Sequence, residues 1–144
     1  MKKVVLTIQA LALFKLAQNH LYDIRVAVGP SMLPTISEAG DVLLVDRLTP
    51  HLRGYRKGDI VLTKSPLNPQ THLCKRVIAQ SGESAFVDGV HYLVPQGYMW
   101  VEGDNKDHSL DSRTFGPIPE GLALGIVRAK LWPPGANMLL SQSS

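Results

Sequence analysis

After residue 25 the chain never runs far without a breaker. Twelve Gly and ten Pro are spread through 144 residues, and the apolar residues between them come in short runs. "DVLLVDRL", "GDIVLTK", "HLCKRVIAQ", "SAFVDGVHYLV", "YMWVEG" and "LALGIVRAKLW" each fit a strand: short, rich in β-branched or aromatic residues, and bounded by turn signals. Asp88-Gly89 divides the fourth run as a two-residue hairpin turn. "SPLNPQ" and "GDNKDHSLDSRTFGPIPEG" read as loops. This punctuation argues against a helix bundle, and no internal repeat is visible. The pattern predicts a mainly β body of coiled antiparallel sheet over residues 26–134, with a frayed tail at 135–144.

The first 25 residues differ in kind. Lys2 and Lys3 precede a largely apolar run from Val4 to Ala17, interrupted by Thr7, Gln9 and Lys15. As a helix, that run spans roughly 21 Å, short of the ~30 Å hydrocarbon core. A cleaved secretory signal, a soluble amphipathic helix and a short uncleaved membrane anchor all compete here. No small-x-small site follows, which disfavours the signal. The expectation is an anchor helix over 1–25, with its lysines snorkelling and the β body across the membrane from Lys2 and Lys3.

Composition narrows the function classes. The net charge of +3 comes from scattered basic residues, so a nucleic-acid partner is not expected. Cys74 is the single cysteine and has no internal disulfide partner. It is expected to be a small buried or half-buried residue.

"GPSMLPT" sets Ser31 between two proline steps. It is either a turn residue or a nucleophile on a stiff loop. A nucleophile needs a base. None of His20, His51, His72, His91 and His108 accompanies a G-x-S-x-G elbow. Lysine serves when desolvation lowers its pKa from about 10.4. In "HLCKRVIAQ", strand alternation places Leu73, Lys75 and Val77 on one face and Cys74, Arg76 and Ile78 on the other. Lys75 is then either a poorly hydrated base or an edge-strand lysine with its head in water. Lys57 and Lys64 look solvated, and Lys130 has no obvious partner. "GDNKDHSLDSR" is too polar for a core strand and does not fit a calcium loop. Asp111 and Arg113 can pair within it, and Ser109 can hydrogen-bond the Lys75 amine.

Together these segments resemble the type I signal peptidase family, most closely its mitochondrial inner membrane branch. "PSMLPT" resembles the nucleophile box, "KGDIVLTK" the structural strand box, "CKRVIAQSGE" the base box and "GDNKDHSLDSR" the last box, in the family's order. The resemblance implies Ser31 as nucleophile, Lys75 as general base and Ser109 as the hydroxyl that orients it. It implies a structural ion-pair cluster of Asp111, Arg113 and Arg76. It also implies a substrate groove shaped by Met32 and Pro34, on an extended backbone fixed by the proline steps. No metal or other cofactor is implied. The implied substrates are precursors with sorting presequences bound for the intermembrane space. The implied partners are a homologous second catalytic subunit and inner-membrane lipid.

Gly29 departs from many bacterial members, which carry a hydroxyl residue there for the oxyanion hole. A small bacterial enzyme of the same type is one alternative. Self-cleaving repressors share the Ser–Lys pair, but the apolar N-terminus here lacks a helix-turn-helix pattern. A non-catalytic, membrane-anchored subunit would have no need of Ser31, Lys75 and Ser109 together.

Overall fold

The computed structural model describes the backbone of residues 1–135 and 139–140, and the side chains of all of these except 17–20. Helix α1 (Lys2–Leu21) leads into strands β1 (Tyr22–Val28) and β2 (Ala39–Asp46). Helix α2 (Thr49–Arg53), β3 (Ile60–Lys64), β4 (His72–Ala79), β5 (Ser84–Val87), β6 (Val90–Leu93) and β7 (Tyr98–Glu102) follow. Helix α3 (Ser112–Phe115), β8 (Ile118–Pro119) and β9 (Ala123–Trp132) complete the order. Seven strands form one antiparallel sheet in the order β1-β2-β9-β3-β4-β7-β8, and β5 and β6 form a separate hairpin. Asp88 and Gly89 close that hairpin with φ of 49° and 83°, the positive pair a two-residue turn requires.

β3 runs through the middle because "IVL" can be buried on both faces. Ile60 and Leu62 pack with Met32, Ile36, Leu43, Val45 and Val127. Val61, on the opposite face, packs with Val77, Met99, Val101 and Ile118. A third cluster of Ala79, Ala85, Val94 and Trp100 lies beneath the hairpin. Register shifts in the β1–β2, β2–β9, β3–β9 and β4–β7 ladders bend the sheet and deepen its twist, giving the coiled body that was expected.

Several expectations change. Tyr22 already pairs with Asp46, so the boundary expected at residue 25 falls inside β1. "YDIRVAV" alternates as a strand should, but its apolar side is exposed: Ile24 61%, Val26 63% and Val28 78%. The side chains of α1 are exposed from Lys2 to Leu16, Leu21 is half-buried, and among the described residues no helix is long and apolar enough to cross a membrane. In the expected tail, residues 136–138 and 141–144 lie outside the description. Leu140 is tied down: its N–H donates to Arg128 O at 2.9 Å, and its side chain packs against the first cluster. Lys130 has a partner after all, since its Nζ lies 3.4 Å from Asp41 Oδ2.

Candidate active site

Ser31 sits on a tight turn. Gly29 enters it at φ 106°, a value that favours glycine, and Pro30–Met32 form one 3-10 turn closed by Leu33 N–H to Pro30 O at 3.2 Å. The extended backbone expected at Ser31 is therefore not found. The proline rule restricts the residue before each proline, here Gly29 and Leu33, and leaves Ser31 free to turn. Leu33 is indeed extended, at φ −60° and ψ 144°. Met32 and Ile36, each 2% exposed, plug the loop into the core just after a half-buried Ser31.

A groove of ≈ 160 Å³ opens beside Ser31, between β1 residues Arg25–Val28 and the start of β4 at His72–Cys74. These two strands are not paired with each other. β4 pairs with β3 along His72–Arg76, but pairs with β7 only from Arg76 onward. Met32 lines the groove; Pro34 is exposed and is not among its lining residues.

Lys75 is 2% exposed and shares its strand face with Val77 and Ala79, exposed 0% and 1%. Burial lowers its pKa below the ordinary lysine value. The Asp111 carboxylate and Cys74 oppose that shift, and the Arg113 guanidinium adds to it. Lys75 Nζ donates to Ser109 Oγ at 3.0 Å, and Ser109 Oγ in turn donates to Asp111 Oδ2 at 2.7 Å. Asp111 is fully buried and also accepts from Gly103 N–H at 2.9 Å and Arg113 Nε at 2.9 Å. Gly103 sits against both halves of the site. A Cβ there would lie 2.2 Å from Ser109 Oγ and 2.5 Å from the Ser31 carbonyl oxygen.

Arg76 does not join the Asp111–Arg113 pair. It forks onto Asp104, with Nε to Oδ1 at 2.8 Å and Nη2 to Oδ2 at 2.7 Å. Alternation along β4 explains this, because Arg76 points away from the face that carries Lys75. Thr35 Oγ1 donates to Asp104 Oδ2 at 2.5 Å, so Asp104 joins the Ser31 loop to β4.

Gly103, Asp104, Asn105 and Thr35 were not singled out from the sequence. The signal lay in "GDN": a glycine wedged into a polar loop often marks a close approach. Asn105 donates its backbone N–H to Ser31 O and its Nδ2 to Pro30 O, both at 3.0 Å.

The other candidates are placed as follows. His72 is exposed at the groove wall, His91 packs on Phe86 with ring centroids 4.7 Å apart, and His51 and His108 are exposed in short helical turns. The side chain of His20 lies outside the described ones. Burial pushes the Cys74 thiol up to about 12, so it stays protonated near neutral pH.

Comparison with known proteins bears on the whole chain. The family profile described as "Signal peptidase, peptidase S26" matches residues 1–92 and 84–132. A mitochondrial inner membrane protease subunit 1 from Xenopus tropicalis is 40% identical over 133 residues, 88% of this chain and 79% of that protein. A mitochondrial inner membrane protease subunit 2 from Danio rerio is 39% identical over 115 residues, 74% of this chain and 62% of its own length. A looser likeness is to a signal peptidase I crystal structure from Enterococcus faecalis, at TM-score 0.44 and 23% identity, covering 50% of this chain and 95% of that one. With sequence similarity on this scale along nearly its full length, the chain belongs to the signal peptidase, peptidase S26, family.

Proposed function

We propose that this serine endopeptidase of the mitochondrial inner membrane cuts presequences with Ser31 as nucleophile and Lys75 as general base. The observation that carries the reading is the Lys75 amine: 2% exposed on an apolar strand face, bonded to Ser109 at 3.0 Å, and next to the Gly103 contact with Ser31. A neutral amine in that setting has a lone pair to accept a proton, which a solvated ammonium lacks.

The steps balance. Lys75 takes the Ser31 hydroxyl proton as Oγ bonds to the scissile carbonyl carbon. The Ser31 N–H faces the resulting oxyanion. The C–N bond breaks as Lys75 returns that proton to the leaving amine. A water then loses a proton to Lys75 as its oxygen bonds to the ester carbon; the C–O bond to Ser31 breaks as Lys75 returns that proton to Ser31 Oγ, and the acid product leaves as its carboxylate. The precursor lies extended in the groove, where the unpaired stretch of β4 offers main-chain partners.

α1 attaches the chain to the membrane, and the β body faces the intermembrane space. A homologous second subunit is its partner, a reading supported by likeness to both subunit 1 and subunit 2 proteins.

The test uses the full chain in detergent with a precursor substrate. Ser31→Ala and Lys75→Arg each abolish cleavage; the second does so although it keeps the charge, because a guanidinium stays protonated. His72→Gln and His108→Gln stay within about tenfold of the parent, against the 10²–10⁴ a general base contributes. Normal turnover in Lys75→Arg, with loss in either histidine variant, would replace the Ser–Lys mechanism by a histidine-based one.

A further inference from the structure

The peptide unit joining Pro30 to Ser31 is planar, so its C=O and N–H point in opposite directions. Whatever holds the Pro30 carbonyl therefore aims the Ser31 N–H. That carbonyl accepts from Leu33 N–H at 3.2 Å, within the turn itself, and from Asn105 Nδ2 at 3.0 Å, from outside it. The backbone N–H of Asn105 donates to Ser31 O at 3.0 Å, which holds the next peptide unit as well. One residue thus fixes the planes on both sides of Ser31, and with them its φ and ψ.

Asn105 is itself well held. Its neighbour Asp104 takes the two-pronged Arg76 contact from β4 and the Thr35 hydroxyl from the nucleophile loop. On the other side of the turn the restraint is weaker. Gly29 brings no side chain, and its N–H reaches Glu38 O only at 3.4 Å. The aim of the Ser31 N–H depends mainly on the Asn105 side.

We propose that Asn105 is a positioning residue for acylation, holding the Pro30–Ser31 peptide so that the Ser31 N–H meets the oxygen of the scissile carbonyl. This rests on the reading of Ser31 as nucleophile. The oxyanion charge exists only in the transition state and intermediate, so the contribution shows in kcat and not in KM. Removing an oxyanion donor outright lowers kcat by roughly 10²–10³-fold. A donor still present but poorly aimed loses less, about 10–10²-fold.

The experiment compares full-length Asn105→Ala, Asn105→Asp and Ser31→Ala with the parent chain in detergent. Both Asn105 variants keep the backbone donor to Ser31 O. Asn105→Asp also keeps the side-chain size while replacing the donor with an oxygen. Four quantities are read: cleavage of a presequence peptide, binding of an uncleavable peptide of the same sequence, inhibition by the matching peptide aldehyde, and melting temperature. The aldehyde carbon accepts Ser31 Oγ while the hydroxyl proton passes through Lys75 to the adduct oxygen, which occupies the oxyanion position.

In both Asn105 variants kcat is expected to fall about 10–10²-fold with KM within about threefold. Aldehyde affinity is expected to fall in step with kcat/KM, while uncleavable-peptide affinity and melting temperature hold. The affinity ratio of aldehyde to peptide does not depend on how much of each variant folds. An unchanged ratio, or kcat within about twofold of the parent, overturns the proposal. Complete loss in Ser31→Ala beside normal Asn105 variants overturns this inference alone. Cleavage that survives Ser31→Ala overturns the nucleophile reading and this inference with it.

Discussion

Lys75 stands between opposing influences. Burial pushes its pKa down, the Asp111 carboxylate pulls it back up, and the Arg113 guanidinium pushes it down again. By pairing with Asp111 at 2.9 Å, Arg113 offsets the charge that would keep Lys75 protonated. Cleavage should therefore rise with pH along one limb as Lys75 loses its proton, and in Arg113→Gln that limb should move to higher pH. Rate profiles of the two proteins check this; a limb that stays in place removes Arg113 from the electrostatics. The shift also bears on stability. Between the lowered value and 10.5 the unfolded chain binds more protons than the folded one, so stability rises with pH across that window. Asp111 has the same sign, in an acid window. Burial pushes its carboxyl up, but hydrogen bonds from Arg113, Gly103 and Ser109 outweigh that and hold it below 3.8. Its contribution is complete above 3.8 and disappears as pH falls through the lowered value. Asp111→Asn leaves Arg113 without its counter-charge and should cost about 3 kcal/mol, the lower end for a broken buried pair because Arg113 is partly exposed. Thermal melts measure it, and an inactive variant of full stability would make Asp111 a direct participant.

Among the elements, the turn from β7 into α3 brings the two halves of the site together. In Gly103→Ala the new methyl would collide with Ser109 and with the Ser31 carbonyl, so one substitution displaces both. Displacement on an ångström scale lowers turnover by roughly 10²-fold. Peptide cleavage by Gly103→Ala, with circular dichroism to verify the fold, tests this; parent-like turnover would mean the loop has slack. Much of this level was legible beforehand. β2, β3, β4, β7 and β9 follow from apolar runs between turns, and Asp88-Gly89 marks its hairpin directly. β1 was hidden because its apolar side faces outward, as no half-buried strand's should, and because its first residues, 22–25, were counted with the helix before them. The two-residue β8 is too short to show a period. The Lys75 face could be read from alternation alone. The choice of Asp104 over Asp111 by Arg76 could not, because both carboxylates lie in one loop whose path only the folded chain defines.

At the scale of the whole molecule, α1 projects a helix whose Val4, Leu6, Ile8, Leu11, Leu13 and Phe14 are all at least 60% exposed. Such an apolar surface marks an interaction site. In isolated mitochondria the protein should remain in the pellet after alkaline carbonate, and opening the outer membrane should expose the β body to protease. Release by carbonate counts against attachment through α1, and protection until the inner membrane is breached counts against the orientation. The groove has a further consequence. β4 is unpaired on one side before Arg76, and β1 ends the sheet. Unpaired hydrogen-bonding groups on a strand edge are open to any extended chain, a second copy included. Beside them β1 adds the exposed Ile24, Val26 and Val28. Away from its membrane and with no peptide bound, the chain should be prone to edge-to-edge self-association, and a peptide in the groove should suppress it; light scattering of the detergent-free chain with and without peptide checks this.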